Sequence, residues 1–173
     1  MTLNLEARLR SPALDLAAVR RLAETLAPWA LRRASARPGA VSLSFIGSAA
    51  IARVHRDALG APGETDVVTL AYAATPGFPA SAEIFVNAAL ARRRGTDRAA
   101  LDLTAPERDL AWSPDHELAL YIAHGFDHLA GGDDASSAGF AVMRRRELAW
   151  IRRAEALGLV AGLFKTPRGG RHV

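Results

Sequence analysis

Two histidines four residues apart, His124 and His128, followed by two glycines and two aspartates, make the stretch of this chain best equipped for chemistry. On a helix, residues i and i+4 share one face about a turn apart, so both imidazoles can aim at one ion. Gly131 and Gly132 can end that helix, because glycine adopts the left-handed backbone needed just past a C-terminus. The chain then turns back, and Asp133 or Asp134 can offer a carboxylate from another direction. Three protein ligands with an open fourth position is the catalytic arrangement for zinc, whereas structural sites are usually closed by four.

A His-x-x-x-His pair alone is weak evidence, since two histidines on a helix are often ordinary polar-face or core residues. The residues leading into it strengthen the metal reading. Glu117 to Ala123 is a largely apolar run, as expected of a buried helix that delivers the histidines to a cleft. Ser113 can cap that helix and Pro114 fits its first turn, with Asp115 and Glu117 near the positive end of the dipole.

The elements that must position this segment follow from periodicity. Leu3 to Leu9 alternates apolar and polar residues and reads as a strand. Ser11-Pro12 opens a helix with apolar residues at Leu14, Val19, Leu22, Leu26 and Trp29, ending before Arg37-Pro38-Gly39. Val41 to Ile46 is a second strand, Ser48 caps a short helix through Leu59, and Gly60 to Gly63 is a loop. Asp66 to Tyr72 is apolar at most positions and predicts a central strand. Thr75 to Pro79 turns the chain into a short fourth strand, Glu83 to Val86, followed by a helix from about Asn87 to Arg94. The histidine helix comes next, and Ser137 to Leu157 forms a last amphipathic helix. The sum is a single α+β domain over residues 1–160, with about four strands in a mixed sheet and about five helices. A basic tail, expected to be disordered, occupies 161–173.

Composition sets bounds. The chain has 173 residues, half of them hydrophobic, which excludes a disordered protein. It has no cysteine, so disulfides, iron–sulfur clusters and thiolate zinc sites are excluded, and a reducing cytoplasm suits it. No stretch approaches a membrane span, and Met1 to Arg8 lacks an apolar signal core. The formal charge is +4, carried almost wholly by arginine, with Lys165 the only lysine. That balance permits nucleic acid as a partner without diagnosing it.

Three segments, in order, resemble the YbeY family of bacterial rRNA maturation factors, metal-dependent endoribonucleases specific for single strands. The family signature H-G-x-x-H-L-x-G-x-D-H reads here His124-Gly125-Phe126-Asp127-His128-Leu129-Ala130-Gly131-Gly132-Asp133-Asp134. A T-D-V-L-S-F segment corresponds to Thr65 to Leu70, and the Gly-Asp-Ile strand to Ala82 to Val86. The resemblance covers about residues 40 to 157. It implies one zinc ion per chain held by His124, His128 and Asp134, and RNA hydrolysis by metal-activated water. It also implies a role in ribosome quality control in the cytoplasm, with rRNA and small ribosomal subunit proteins as partners.

Two positions depart from the family. Asp134 replaces the third histidine ligand, which makes the site one positive charge poorer. Leu59 stands, counting back from Thr65, where the family carries an arginine, with Arg56 one helical turn earlier as a weak substitute. No general base is identified. Asp133 is expected to cap a helix or orient an imidazole, and Asp127 to face solvent or do the same. Thr65 and Asp66 are expected to be structural. Arg144, Arg145 and Arg152, with Arg146 and Arg153, are placed on the last helix, either as RNA phosphate contacts or as a solvated face.

Two rival classes remain. One is a non-catalytic ribosome-assembly factor that keeps the fold. The other is a metzincin-like protease, which shares the ligand spacing but needs a glutamate where this chain has Gly125.

Overall fold

In the computed structural model, residues 1–9, 12–35, 37–98 and 110–166 are described. Four strands and, among these residues, five helices form an α+β domain: β1 (Thr2–Ala7), α1 (Leu16–Leu31), β2 (Ala40–Ile46), α2 (Ser48–Leu59), β3 (Val67–Tyr72), β4 (Ser81–Asn87), α3 (Ala88–Arg98), α4 (Pro114–Leu129) and α5 (Ser137–Ala156). The sheet order is β1-β2-β4-β3. β1 and β4 both run parallel to β2, and β3 runs antiparallel to β4.

The alternation of side chains along each strand divides the sheet into two buried faces. Val41, Leu43 and Phe45 of β2 join Ala82, Ile84 and Val86 of β4 in the main core, under α1, α3 and α4. The opposite face buries Val68 with Ile46 against Ile51 of α2. β3 thus has a helix over each face. This explains why Asp66 to Tyr72 reads as a central strand and is instead the edge strand: two-sided burial makes its sequence apolar, and β4 takes the central place.

α4 is the axis of the molecule. Every residue from His116 to Asp127 is buried. Its start is the one the sequence predicts, with Ser113 as cap and Pro114 in the first turn. Its close approach to the sheet depends on Gly125: a Cβ there would lie 2.5 Å from Ile84 Cγ2 and 3.1 Å from Val67 Cγ2. Thr69 Oγ1 donates to the Gly125 carbonyl at 3.3 Å, tying β3 to the same turn.

Other helix starts differ from expectation. α1 is capped by Asp15, whose carboxylate accepts from the amides of Ala17 and Ala18, and Ser11 lies outside the described residues. Gly47 rather than Ser48 is the cap of α2, and the Ser48 hydroxyl donates to Asn87 Oδ1. Leu163 and Phe164 are buried, and Asp115 accepts from the amides of Gly162 and Phe164, so the packed domain runs past 160. Residues 167–173 lie outside the described residues. No helix among the described residues is long and apolar enough to cross a membrane.

Candidate metal centre

The last turn of α4 and the loop after it bring His124, His128 and Asp134 together. One ligand atom from each lies within 4.8 Å of the others. The two Nε2 atoms are 3.0 Å apart. Asp134 Oδ2 is 3.4 Å from His124 Nε2 and 3.7 Å from His128 Nε2. Gly131, at φ 87°, makes the reversal that returns Asp134 to the histidines.

The remaining ring nitrogens explain why this cluster suits a cation. His124 Nδ1 lies 2.7 Å from Glu147 Oε1, inside the protein. His128 Nδ1 lies 3.1 Å from the Gly132 carbonyl oxygen. Both partners are acceptors, so each neutral ring carries its proton on Nδ1 and turns an Nε2 lone pair toward Asp134. Two lone pairs and a carboxylate oxygen then converge with no donor among them. Bonds of about 2.1 Å in tetrahedral geometry put ligand atoms about 3.4 Å apart, close to the three separations found here. The donor set and its spacing fit a divalent ion with an open position.

Glu147 is the functional residue the sequence reading missed. It comes from α5, is nearly fully buried, and orients His124 in the manner of the carboxylate–histidine pairs around metals. Its signal was present: it shares the buried stripe of α5 with Met143, Leu148 and Ile151, where a carboxylate demands a partner. Burial by itself would lower the pKa of His124. The Glu147 hydrogen bond and the charges of Glu147, Asp66 and Asp134 outweigh it, and the net shift is upward. The carboxylates around His124 favour positive charge on its ring.

Asp133 and Asp127 do other work. Asp133 accepts from the Ala135 amide in a local turn, and the cap of α5 is Ser136. Asp127 neither faces solvent nor touches an imidazole. It is fully buried and takes three hydrogen bonds from Arg146 at 2.7 to 2.9 Å and one from Arg33 at 3.0 Å. Its backbone carbonyl also accepts from Gly132, so this aspartate braces the turn that leads to Asp134.

The cluster opens into a cavity of about 420 Å³ that wraps the free edge of β3. His55 and Leu59 of α2 line it on one side and His124 and His128 of α4 on the other. Thr65 and Asp66 line it too while serving the start of β3, where Asp66 Oδ1 accepts from Thr65 Oγ1 and the Val67 amide. Arg56 pairs with the neighbouring Asp57 at 3.2 Å and is not among the lining residues. No arginine or lysine lines the cavity among the described residues, and Leu59 is 55% exposed there.

The arginines of α5 divide. Arg144 lies 3.7 Å from Glu147 and over the Phe140 ring, and Arg146 is held by Asp127. Arg153 stacks on Trp29, and Arg145, Arg152 and Arg153 are all exposed.

Comparison with known proteins gives what this chain is similar to. The family model described as Endoribonuclease YbeY matches residues 7–155. An Endoribonuclease YbeY of Campylobacter fetus subsp. fetus (strain 82-40) is 29% identical over 124 residues, covering 72% of this chain and 79% of that protein. The solution structure of TM1509 from Thermotoga maritima shares the fold, with a TM-score of 0.52 and 15% identity over 98% of this chain and 99% of that one.

Proposed function

The chain belongs to the YbeY family of endoribonucleases, and from that premise we propose that it is a zinc-dependent, single-strand-specific endoribonuclease of rRNA maturation and ribosome quality control. One ion per chain would be held by His124, His128 and Asp134. The proposed setting is the cytoplasm, with rRNA and small ribosomal subunit proteins as partners. The observation that carries the reading is the convergence of two Nε2 lone pairs and Asp134 Oδ2 at the wall of an open cavity.

A divalent ion there supplies Lewis-acid chemistry, acidifying water and offsetting the charge that builds on the phosphate. The chain's own residues set the stage for it. Glu147 and the Gly132 carbonyl fix both imidazoles in one tautomer. Asp127, gripped by Arg33 and Arg146, holds the turn that presents Asp134. The edge of β3 leaves the cavity open to an extended strand.

The test is elemental analysis of protein purified without chelators, followed by cleavage of single-stranded and duplex RNA with His124→Ala as control. We expect about one zinc per chain, cleavage confined to single strands, and neither zinc nor cleavage in the variant. Protein without stoichiometric metal would refute the hydrolase.

A second reading, the non-catalytic assembly factor, is favoured by one observation: Leu59 stands on a cavity wall that offers phosphate no arginine or lysine among the described residues. Zinc-loaded protein that binds RNA without cutting it would select that reading. The protease reading loses its ground at Gly125, since a glutamate side chain there would have to displace Ile84.

A further inference from the structure

We propose that His55 is a catalytic residue of this site, the group that accepts a proton from the water attacking phosphorus. The inference rests on the ribonuclease reading above and adds to it a residue of α2. His55 and Leu59 are one helical turn apart and line the same cavity as His124, His128 and Asp134. α2 approaches β3 from the face opposite α4, so His55 reaches the cavity from the side away from the ligand histidines.

The ring is also set in a defined state. His55 Nδ1 lies 3.2 Å from the Gly63 carbonyl oxygen, at the far end of the loop that follows α2. A carbonyl can only accept, so Nδ1 carries the proton and the neutral ring keeps its lone pair on Nε2. A half-buried imidazole held by a backbone carbonyl, with its second nitrogen unprotonated, is the form a proton acceptor needs.

Other carboxylates near the site have partners of their own. Glu147 serves His124, Asp133 closes its own turn, and Asp134 completes the ligand cluster. Asp66 orients the start of β3 through Thr65 and the Val67 amide. On the α2 wall, Arg56 and Asp57 pair with each other.

In the step, the water oxygen bonds to phosphorus while its proton passes to His55 Nε2. The bond from phosphorus to the leaving ribose oxygen breaks, and its electron pair stays on that oxygen. The imidazolium then returns the proton to the leaving oxygen, so one water is consumed for each bond cut.

The experiment compares zinc-loaded wild type, His55→Ala and His55→Gln on one single-stranded RNA, with zinc content and thermal unfolding measured alongside. Removing a general base typically costs about 100-fold or more in kcat, and both variants should lose that much. Zinc per chain and KM should hold. Free imidazole should restore cleavage to His55→Ala, since the cavity has room for it, and should leave His55→Gln unrescued. Wild-type kcat in either variant overturns the proposal and leaves the ribonuclease reading standing. Loss of zinc in a folded variant overturns it by making His55 a ligand, and a folded, zinc-loaded His55→Ala that imidazole does not revive also overturns it. Wild type that holds zinc but cuts no RNA refutes both readings.

Discussion

At the scale of single residues, the chemistry turns on how His124 is held. Its pKa is raised because the Glu147 contact and nearby carboxylates outweigh burial. For the metal-free protein the sign follows directly. The protonated ring is favoured by the fold, so its stabilisation is fully present below the unfolded histidine pKa and is lost as pH rises through the higher folded value. A metal must displace that proton, so zinc affinity should rise with pH across the same window. Calorimetry in buffers of different ionisation enthalpy should show proton release on binding, with less in Glu147→Gln. That variant should also bind zinc about 10- to 100-fold more weakly, as losses of such orienting partners do, which competition with a chromophoric chelator would read. A second substitution tests the charge of the site. Asp134→His replaces a carboxylate by a neutral ligand, so the ion should become a stronger Lewis acid and cleavage faster. Equal or slower cleavage with zinc retained would refute that argument.

At the scale of elements, two side-chain choices hold α4 in place. Gly125→Ala would press a methyl group into Ile84 and Val67. Overpacking of this kind costs about 1–3 kcal/mol, so urea unfolding should show that loss, and the shifted helix should bind zinc more weakly. Asp127→Ala would strand Arg146, which is largely covered, without its carboxylate. Breaking a buried pair costs about 3–5 kcal/mol. The lower end is expected because Arg33 and Arg146 keep some contact with water. These elements also show what a sequence can reveal. The clustering of His124, His128 and Asp134 was legible because helix geometry and a glycine turn bring residues 124 to 134 together locally. Glu147 was not, since its contact with His124 spans 23 residues and depends on how α5 packs on α4. Asp127 read as a solvent-facing residue or as a partner orienting an imidazole, because nothing nearby in sequence announces Arg33, which is 94 residues away. β3 read as central because apolarity reports burial on two faces and not a strand's place in the sheet.

At the scale of the molecule, net charge and site charge point in different directions. The chain carries +4, yet the cavity wall offers His55, Asp66, Asp134, His124 and His128, and among the described residues no arginine or lysine lines it. Apart from the proposed ion, attraction of the protein's own charges for RNA would therefore come from outside the cavity. On α5, Arg144 and Arg146 are turned inward to Glu147 and Asp127, which leaves exposed Arg145 as the better phosphate contact. Each phosphate neutralised on a single strand releases counterions, and log K falls against log salt with a slope of about −0.7 per contact. Affinity for single-stranded RNA measured between about 50 and 200 mM salt should follow such a line. Arg145→Ala should make the slope shallower by about 0.7 while zinc content and unfolding temperature stay as in wild type. Arg56→Ala should leave the slope unchanged if Arg56 remains with Asp57. An affinity indifferent to salt would show that this basic surface does not hold RNA, and an Arg56 effect larger than that of Arg145 would move the strand's path to α2.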